Sequence, residues 1–306
     1  MTVSESSFVL SYDVGGSHIS CGLCRLSNLE LINDAGAPLA NIATFEGFAN
    51  LIQRLGFEAA AGERNIVGAS LAVPSPFDAV AGVSLMEHKL TYLYHRNLRS
   101  ALVKRLGFAP DRLCFLNDAA AYVLGEVVGG SISGARRAVG ITLGTGVGAA
   151  FAVDGQHVTS GPGVPPGGEI WNYPYDGGIV EDLISTQRIK ADYLARTGRD
   201  RKVADIAASV PTDPDARAVF DSFGQHLGEV LRDVIAPFHP DSVVIGGGIS
   251  RAADLFLPTV EKLVVDLGFR VVASALLERA TLVGAAHYWR EQSRNQSMTG
   301  VPGAVT

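Results

Sequence analysis

Residues 138–153 read AVGITLGTGVGAAFAV, and residues 8–26 read FVLSYDVGGSHISCGLCRL. Each is an apolar run, a glycine-rich break and a second apolar run, the pattern of a β-hairpin opened by a glycine turn. The two copies lie about 130 residues apart, one in each half of the chain, and point to an internal duplication.

Working outward, each hairpin is followed by alternating helices and strands. In the first half a helix is expected over about 45–62, where Phe48, Leu51, Ile52 and Leu55 recur at helical spacing. Residues 66–73 (IVGASLAV) and 113–116 (LCFL) read as short buried strands. Between them 96–108 reads as an amphipathic helix with Leu98, Leu102 and Leu106 on one stripe. A helix follows Asn117-Asp118. In the second half a Gly/Pro-rich stretch (160–168, SGPGVPPGG) precedes helices over about 180–197 and 215–236. Then SVVI (242–245) runs into Gly246-Gly247-Gly248, followed by a last strand, a helix around 281–292 and a small, polar tail over 293–306. Strands alternating with helices in both halves predict an α/β fold.

The 306 residues are 47% hydrophobic and 18% charged, enough apolar material for buried cores and unlike a disordered chain. The net charge of −6 and the lack of a basic run argue against nucleic-acid binding, which needs clustered Lys and Arg. The three cysteines, Cys21, Cys24 and Cys114, are too few for a disulfide framework. Cys21 and Cys24 have C-x-x-C spacing but lie on a strand, where residues three apart face opposite sides, so reduced core cysteines are expected. MTVSESSFVL has no basic segment before its apolar run, and no apolar run nears the ~20 residues of a membrane span. A cytoplasmic protein with no membrane partner is expected.

A glycine turn after a strand can serve only the chain reversal. LGTGVG also offers successive backbone N–H groups with no side chains in the way, as close approach of a phosphate requires. In DVGGS an acidic residue, Asp13, stands at the strand end, where it can hold Mg²⁺ through water, or orient it, as phosphates converge. Gly246-Gly247-Gly248 lets a flat ring such as adenine approach the backbone. None of these loops fits the Walker pattern or the G-x-G-x-x-G dinucleotide fingerprint. Asn117-Asp118 reads equally as a helix N-cap and as the mount of a general base facing a substrate hydroxyl; the two readings are compatible.

These segments resemble the ROK family of sugar kinases. Asp13-Val14-Gly15-Gly16-Ser17 is similar to its D-[IV]-G-G-T, Pro74-Ser75-Pro76-Phe77-Asp78 to its P-G-P-V-D, and Asn117-Asp118-Ala119 to its N-D-A. Gly144-Thr145-Gly146-Val147-Gly148 matches G-T-G-[IV]-G, and Gly168-Glu169-Ile170 opens its G-E-I-G-H. Gly246-Gly247-Gly248 and Gly284-Ala285-Ala286 match the adenosine-side loop and the terminal G-A-A. The resemblance implies a two-lobed, actin-like (ribonuclease-H-like) ATPase fold with an interlobe cleft. The lobes are expected as 1–118 plus 287–306 (small) and 119–286 (large). It also implies ATP-dependent phosphorylation of a hexose 6-hydroxyl, glucose first. An N-acetylhexosamine, mannose, fructose or allose kinase is the alternative, and a non-catalytic sugar-sensing or assembly protein the alternative of another class. Asp118 would be the catalytic base. Asn117, Ser75, Glu169, Asn172, Glu181 and Lys89, with Asp118, would bind the sugar. Asp13, Gly15, Gly16, Ser17, Gly144, Thr145, Gly146, Gly247 and Gly248 would bind the nucleotide, with Asp13 at Mg²⁺. A homodimer is common in the family and is expected here.

The departures are local. After G-E-I the family places Gly-His and then three cysteines that complete a structural zinc site. Here Trp171-Asn172 replaces Gly-His, and 173–182 (YPYDGGIVED) contains no cysteine. With the thiolates and the imidazole gone, no structural zinc is expected. The family's P-N-L sugar contact is also replaced, by Met86-Glu87-His88-Lys89-Leu90. Trp171, Tyr173 and Tyr175 are left with two roles, a sugar face or packing that takes over from the zinc module.

Overall fold

The computed structural model describes residues 6–299. The chain divides into two compact units, 1–129 with 278–306, and 130–277.

The first unit is built on β1 (Phe8–Val14), β2 (His18–Arg25), β3 (Leu31–Pro38), β4 (Ile66–Val73), a two-stranded ribbon β5 (Phe77–Asp78) and β6 (Val83–Ser84), and β7 (Leu113–Asn117). Its main sheet has the order β3-β2-β1-β4-β7. β2 is antiparallel to both β1 and β3, whereas β4 is parallel to β1 and β7 parallel to β4. The second unit repeats the plan with β8 (Arg137–Leu143), β9 (Val147–Val153), β10 (Gln156–Val158), a ribbon β11 (Pro174–Tyr175) and β12 (Gly178–Ile179), β13 (Ser242–Gly246) and β14 (Arg270–Ala273). Its sheet runs β10-β9-β8-β13-β14, with the same antiparallel and parallel partners in the same places. This repeated topology is the actin-like, ribonuclease-H-like duplication that the two glycine hairpins foreshadow.

Helices cover the sheets on periodic grounds. In the first unit α1 (Phe45–Ala60) buries Phe48, Leu51, Ile52 and Leu55, with Thr44 as N-cap, its Oγ1 accepting from Gly47 N. α2 (Leu98–Leu106) buries Leu98 and Leu102. These residues join Leu10, Tyr12 and Val14 of β1 in one core. Val9, one step out of phase, faces the other side with Cys24, Val283, Ala286 and Trp289. Cys21 and Cys24 therefore sit in separate cores on opposite faces of β2, as strand alternation requires. Burial pushes the Cys24 thiol up to about 11 and the Cys21 thiol further, so neither is a ready thiolate.

α3 (Asp118–Gly129) and α9 (Arg279–Thr299) pack against each other, and α9 also lies on β1 and β4. Their approach is so close that a Cβ on Gly125 would stand 1.9 Å from Ala280 O, and one on Gly284 1.8 Å from Ala121 O. This contact moves the unit boundaries from those expected. Residues 119–129 and 278–286 belong with the first unit, because α3 and the start of α9 are packed on each other within it. The polar stretch from 293 is not a tail throughout: α9 runs on to Thr299, and 300–306 lie outside the described residues.

In the second unit α4 (Val180–Leu183), α5 (Thr186–Thr197), α6 (Val203–Ser209), α7 (Pro214–Val230) and α8 (Leu257–Val264) surround a core that includes Val139, Ile141 and Leu143 of β8. The helix expected over 180–197 is broken at Ile184–Ser185 into α4 and α5. No helix among the described residues is long and apolar enough to cross a membrane.

Candidate active site

The first unit brings Asp13, Asn117, Asp118 and Lys89 into one electrostatic neighbourhood. Asn117 ends β7 and Asp118 begins α3. The Asn117 carbonyl oxygen accepts from Ala120 N at 3.1 Å and caps the helix, while its amide donates to Ser75 Oγ at 3.0 Å. Asp118 Oδ1 accepts from Ala119 N at 2.9 Å, which fixes the carboxylate at the helix start. The N-cap reading is thus met by Asn117. Burial pushes the Asp118 carboxyl above its ordinary value, and the Ala119 N–H, the Lys89 charge and Asn117 oppose that shift. An Asp raised in this way is a better proton acceptor than a free one, provided it stays ionised. Lys89 itself is exposed, at the end of the segment that replaces the family's P-N-L.

Asp13 stands at the end of β1, opposite Ser20 of β2 and Ala72 of β4. Its carboxyl is pushed up to about 7, first by burial, then by the charges of Asp118 and Glu278. Between the ordinary value and about 7 the folded chain keeps a proton on Asp13 that the unfolded chain has released. The stability this group contributes is therefore full at low pH and lost as pH rises through about 7. Thermal melts from about pH 5 to pH 8 should show wild-type Tm falling more steeply than that of Asp13→Asn. Parallel curves would show that Asp13 is not the titrating group.

Asp118 and Glu278 both place negative charge on Asp13. No group of three or more His, Cys, Asp or Glu able to hold a metal occurs among the described residues. Mg²⁺ takes one or two carboxylates, keeps waters and is completed by substrate phosphates. Asp13 fits that role. The turn beyond it is closed by Gly15 N donating to His18 O at 2.9 Å, with Gly16 and Ser17 exposed.

The second unit holds the other glycine loops. Two of the amides of 144–148 are already engaged. Gly144 N donates to Gly146 O at 3.0 Å, and Val147 N donates to Glu181 Oε2 at 2.8 Å. Glu181, expected at the sugar, has one carboxylate oxygen on the loop itself. Gly144 O in turn accepts from Thr186 N at 2.8 Å, which ties the loop to the start of α5.

Gly247 has φ 78°, and a Cβ there would stand 2.4 Å from Leu143 O, so only glycine lets β13 turn beside β8. Next to it Gly248 lines a cavity of about 370 Å³ with Thr186, Val203, Ala204, Ala207 and Arg251. The apolar walls and glycine floor suit a nucleoside. Ala204 and Ala207 come from α6 and Arg251 from the 3₁₀ segment after β13, so no sequence motif announces that they line one cavity.

A 3₁₀ turn, Pro166–Gly168, leads to Glu169, whose Oε2 accepts from Trp171 Nε1 at 2.8 Å. Asn172 is exposed. Of the aromatic segment, the two tyrosines take the packing role. Tyr173 and Tyr175 pack on the core of the second unit, and Tyr175 donates to Asp233 Oδ2 at 2.6 Å. Val180 N donates to Tyr173 O and Glu181 N to Trp171 O, each at 3.0 Å, and Asp182 Oδ2 accepts from Ile179 N. Hydrogen bonds and tyrosine packing thus hold the segment.

The chain is similar to known sugar kinases. A glucokinase of Thermotoga maritima is 27% identical, the alignment covering 93% of this chain and 98% of that protein. An N-acetyl-D-glucosamine kinase of Aliivibrio salmonicida is 24% identical over 80% of this chain and 85% of its own length. In fold, the chain is similar to a ROK family glucokinase from Streptomyces griseus solved with glucose and AMPPNP. The TM-score is 0.74 at 21% identity, covering 93% of this chain and all of that one. The ROK family profile matches residues 9–292, nearly the whole described chain, and with the seven motif segments in order the chain belongs to the ROK family.

Proposed function

We propose that the chain is a glucokinase, transferring the γ-phosphoryl group of ATP to the 6-hydroxyl of glucose. The class, an ATP-dependent hexose kinase, follows from membership of the family and from its kinase relatives; the proposal concerns the sugar, the hydroxyl and the residues. The observation that carries it is the Asp118 carboxylate, fixed at the β7–α3 junction beside Asp13 and within reach of Lys89's charge.

In this reading Asn117 and Ser75, already bonded to each other, present an amide and a hydroxyl to the sugar. Glu169 and Asn172 take hydroxyls on the anomeric side, with Glu181 and Lys89 completing the set. Asp118 accepts the 6-hydroxyl proton as that oxygen attacks the γ-phosphorus in line; the P–O bond to ADP breaks and ADP leaves. The amides of Thr145 and Gly146, with the Gly15–Ser17 turn, stabilise charge on the phosphoryl oxygens. Gly247 and Gly248 receive the nucleoside. Asp13 would hold Mg²⁺, which supplies neutralisation of phosphate charge. The reading extends to a cytoplasmic homodimer working in carbohydrate metabolism, at the entry to glycolysis.

The N-acetyl-D-glucosamine kinase relative supports a second reading, an N-acetylhexosamine as acceptor. ADP release with Mg-ATP against glucose, mannose, fructose, allose, N-acetylglucosamine and N-acetylmannosamine separates the two. Glucose is expected to lead in kcat/KM by at least about ten-fold, the scale on which pockets discriminate small groups. N-acetylglucosamine in that place would move the substrate to the N-acylated sugars. No turnover with any of the six would overturn the hexose-kinase reading.

A further inference from the structure

We infer that Trp171 is a positioning residue for sugar binding: its indole N–H orients the Glu169 carboxylate, so that affinity for the hexose, and not for ATP, depends on it. The inference rests on the placement of Glu169 at the sugar given above. It goes beyond that placement, because the family pattern has glycine at this position and no indole to orient the carboxylate.

Ile170 is fully buried and anchors the backbone between the two residues, yet the much larger Trp171 is 41% exposed. Packing does not account for an aromatic ring left in water. The hydrogen bond does: Trp171 Nε1 donates to Glu169 Oε2 at 2.8 Å. Residue 171 is itself held, since its carbonyl accepts from Glu181 N, and Ile170 O accepts from Tyr173 N, each at 3.0 Å. The ring therefore hangs from a braced segment and fixes a carboxylate that would otherwise sample several rotamers. An indole has one donor and no acceptor. It takes one carboxylate oxygen without competing for the sugar's hydroxyl donors, and the other oxygen is left to accept from them. Because the glutamate is ordered before the sugar arrives, less side-chain freedom is lost on binding.

Trp171→Phe and Glu169→Gln, assayed beside the wild type with Mg-ATP and glucose (or the hexose turned over fastest in the panel), test this. Trp171→Phe keeps a ring and loses the donor. It is expected to raise the KM for the sugar about ten-fold, the scale of one charge-assisted hydrogen bond, with KM for ATP and kcat within about two-fold. Fluorescence gives a second readout. The chain has two tryptophans, and Trp289 is fully buried with its Nε1 on Arg112 O at 2.9 Å. A sugar-dependent change in emission is expected in the wild type and absent in Trp171→Phe. If Glu169→Gln raises the sugar KM and Trp171→Phe does not, or moves both KM values equally, the positioning role falls while Glu169 keeps its place. If neither variant changes the sugar KM, the placement of Glu169 fails and the inference with it.

Discussion

Asp118→Asn should keep sugar affinity within a few fold and lose about 10²–10⁴ in kcat, the range of a positioned general base. The amide is isosteric, and its oxygen can still accept from Ala119 N, so the β7–α3 junction should stay in place. What it cannot do is take the hydroxyl proton. The variant also removes a charge that helps hold up Asp13, so the Asp13 carboxyl should titrate lower than about 7. Steady-state kinetics with a parallel pH series reads both effects. Near-normal turnover would remove Asp118 from the role of base.

Trp289→Ala should cost about 3–5 kcal/mol, the range for emptying the site of a fully buried large aromatic residue. Trp289 lies on α9, in the core that Val9 and Cys24 supply from the sheet, and its Nε1 donates to Arg112 O at 2.9 Å. Truncation leaves a cavity and an unpaired carbonyl together. A fall in Tm on the order of 10 °C is expected by differential scanning calorimetry. The effect has a topological side. α9 returns to the first unit after the 130–277 segment, so weakening its seat loosens the closing element of that unit. A Tm within about 2 °C of wild type would mean that α9 contributes little to the unit's stability.

The features most legible in the sequence are those written in local pattern. Strand alternation placed Cys21 and Cys24 in different cores, and the two glycine hairpins announced two sheets of the same order. Asn117-Asp118 was legible as a helix start because capping asks for these residue types there. The missed features are long-range. Gly125 and Gly284 meet their opposite helix only through the α3–α9 crossing, which no local period reveals, so the unit boundaries fell about ten residues off. The grip of Glu181 on Val147 N joins residues 34 apart. The division of labour between Trp171 and the two tyrosines depends on which side chains reach the core of the second unit, and alternation over three residues does not decide that. Lys89 sits on an unremarkable polar loop in sequence, yet its charge is felt at Asp118.

The central claim is direct transfer of the γ-phosphoryl group of ATP to the 6-oxygen of a hexose, with Asp118 accepting the hydroxyl proton. Phosphorus and proton NMR of wild-type protein with Mg-ATP and glucose follows every phosphate in one sample. The account predicts glucose 6-phosphate and ADP appearing in equal amounts, with no sugar phosphate formed by Asp118→Asn on the same timescale. ADP accompanied by inorganic phosphate alone, or a phosphate on another carbon of the sugar, would contradict it.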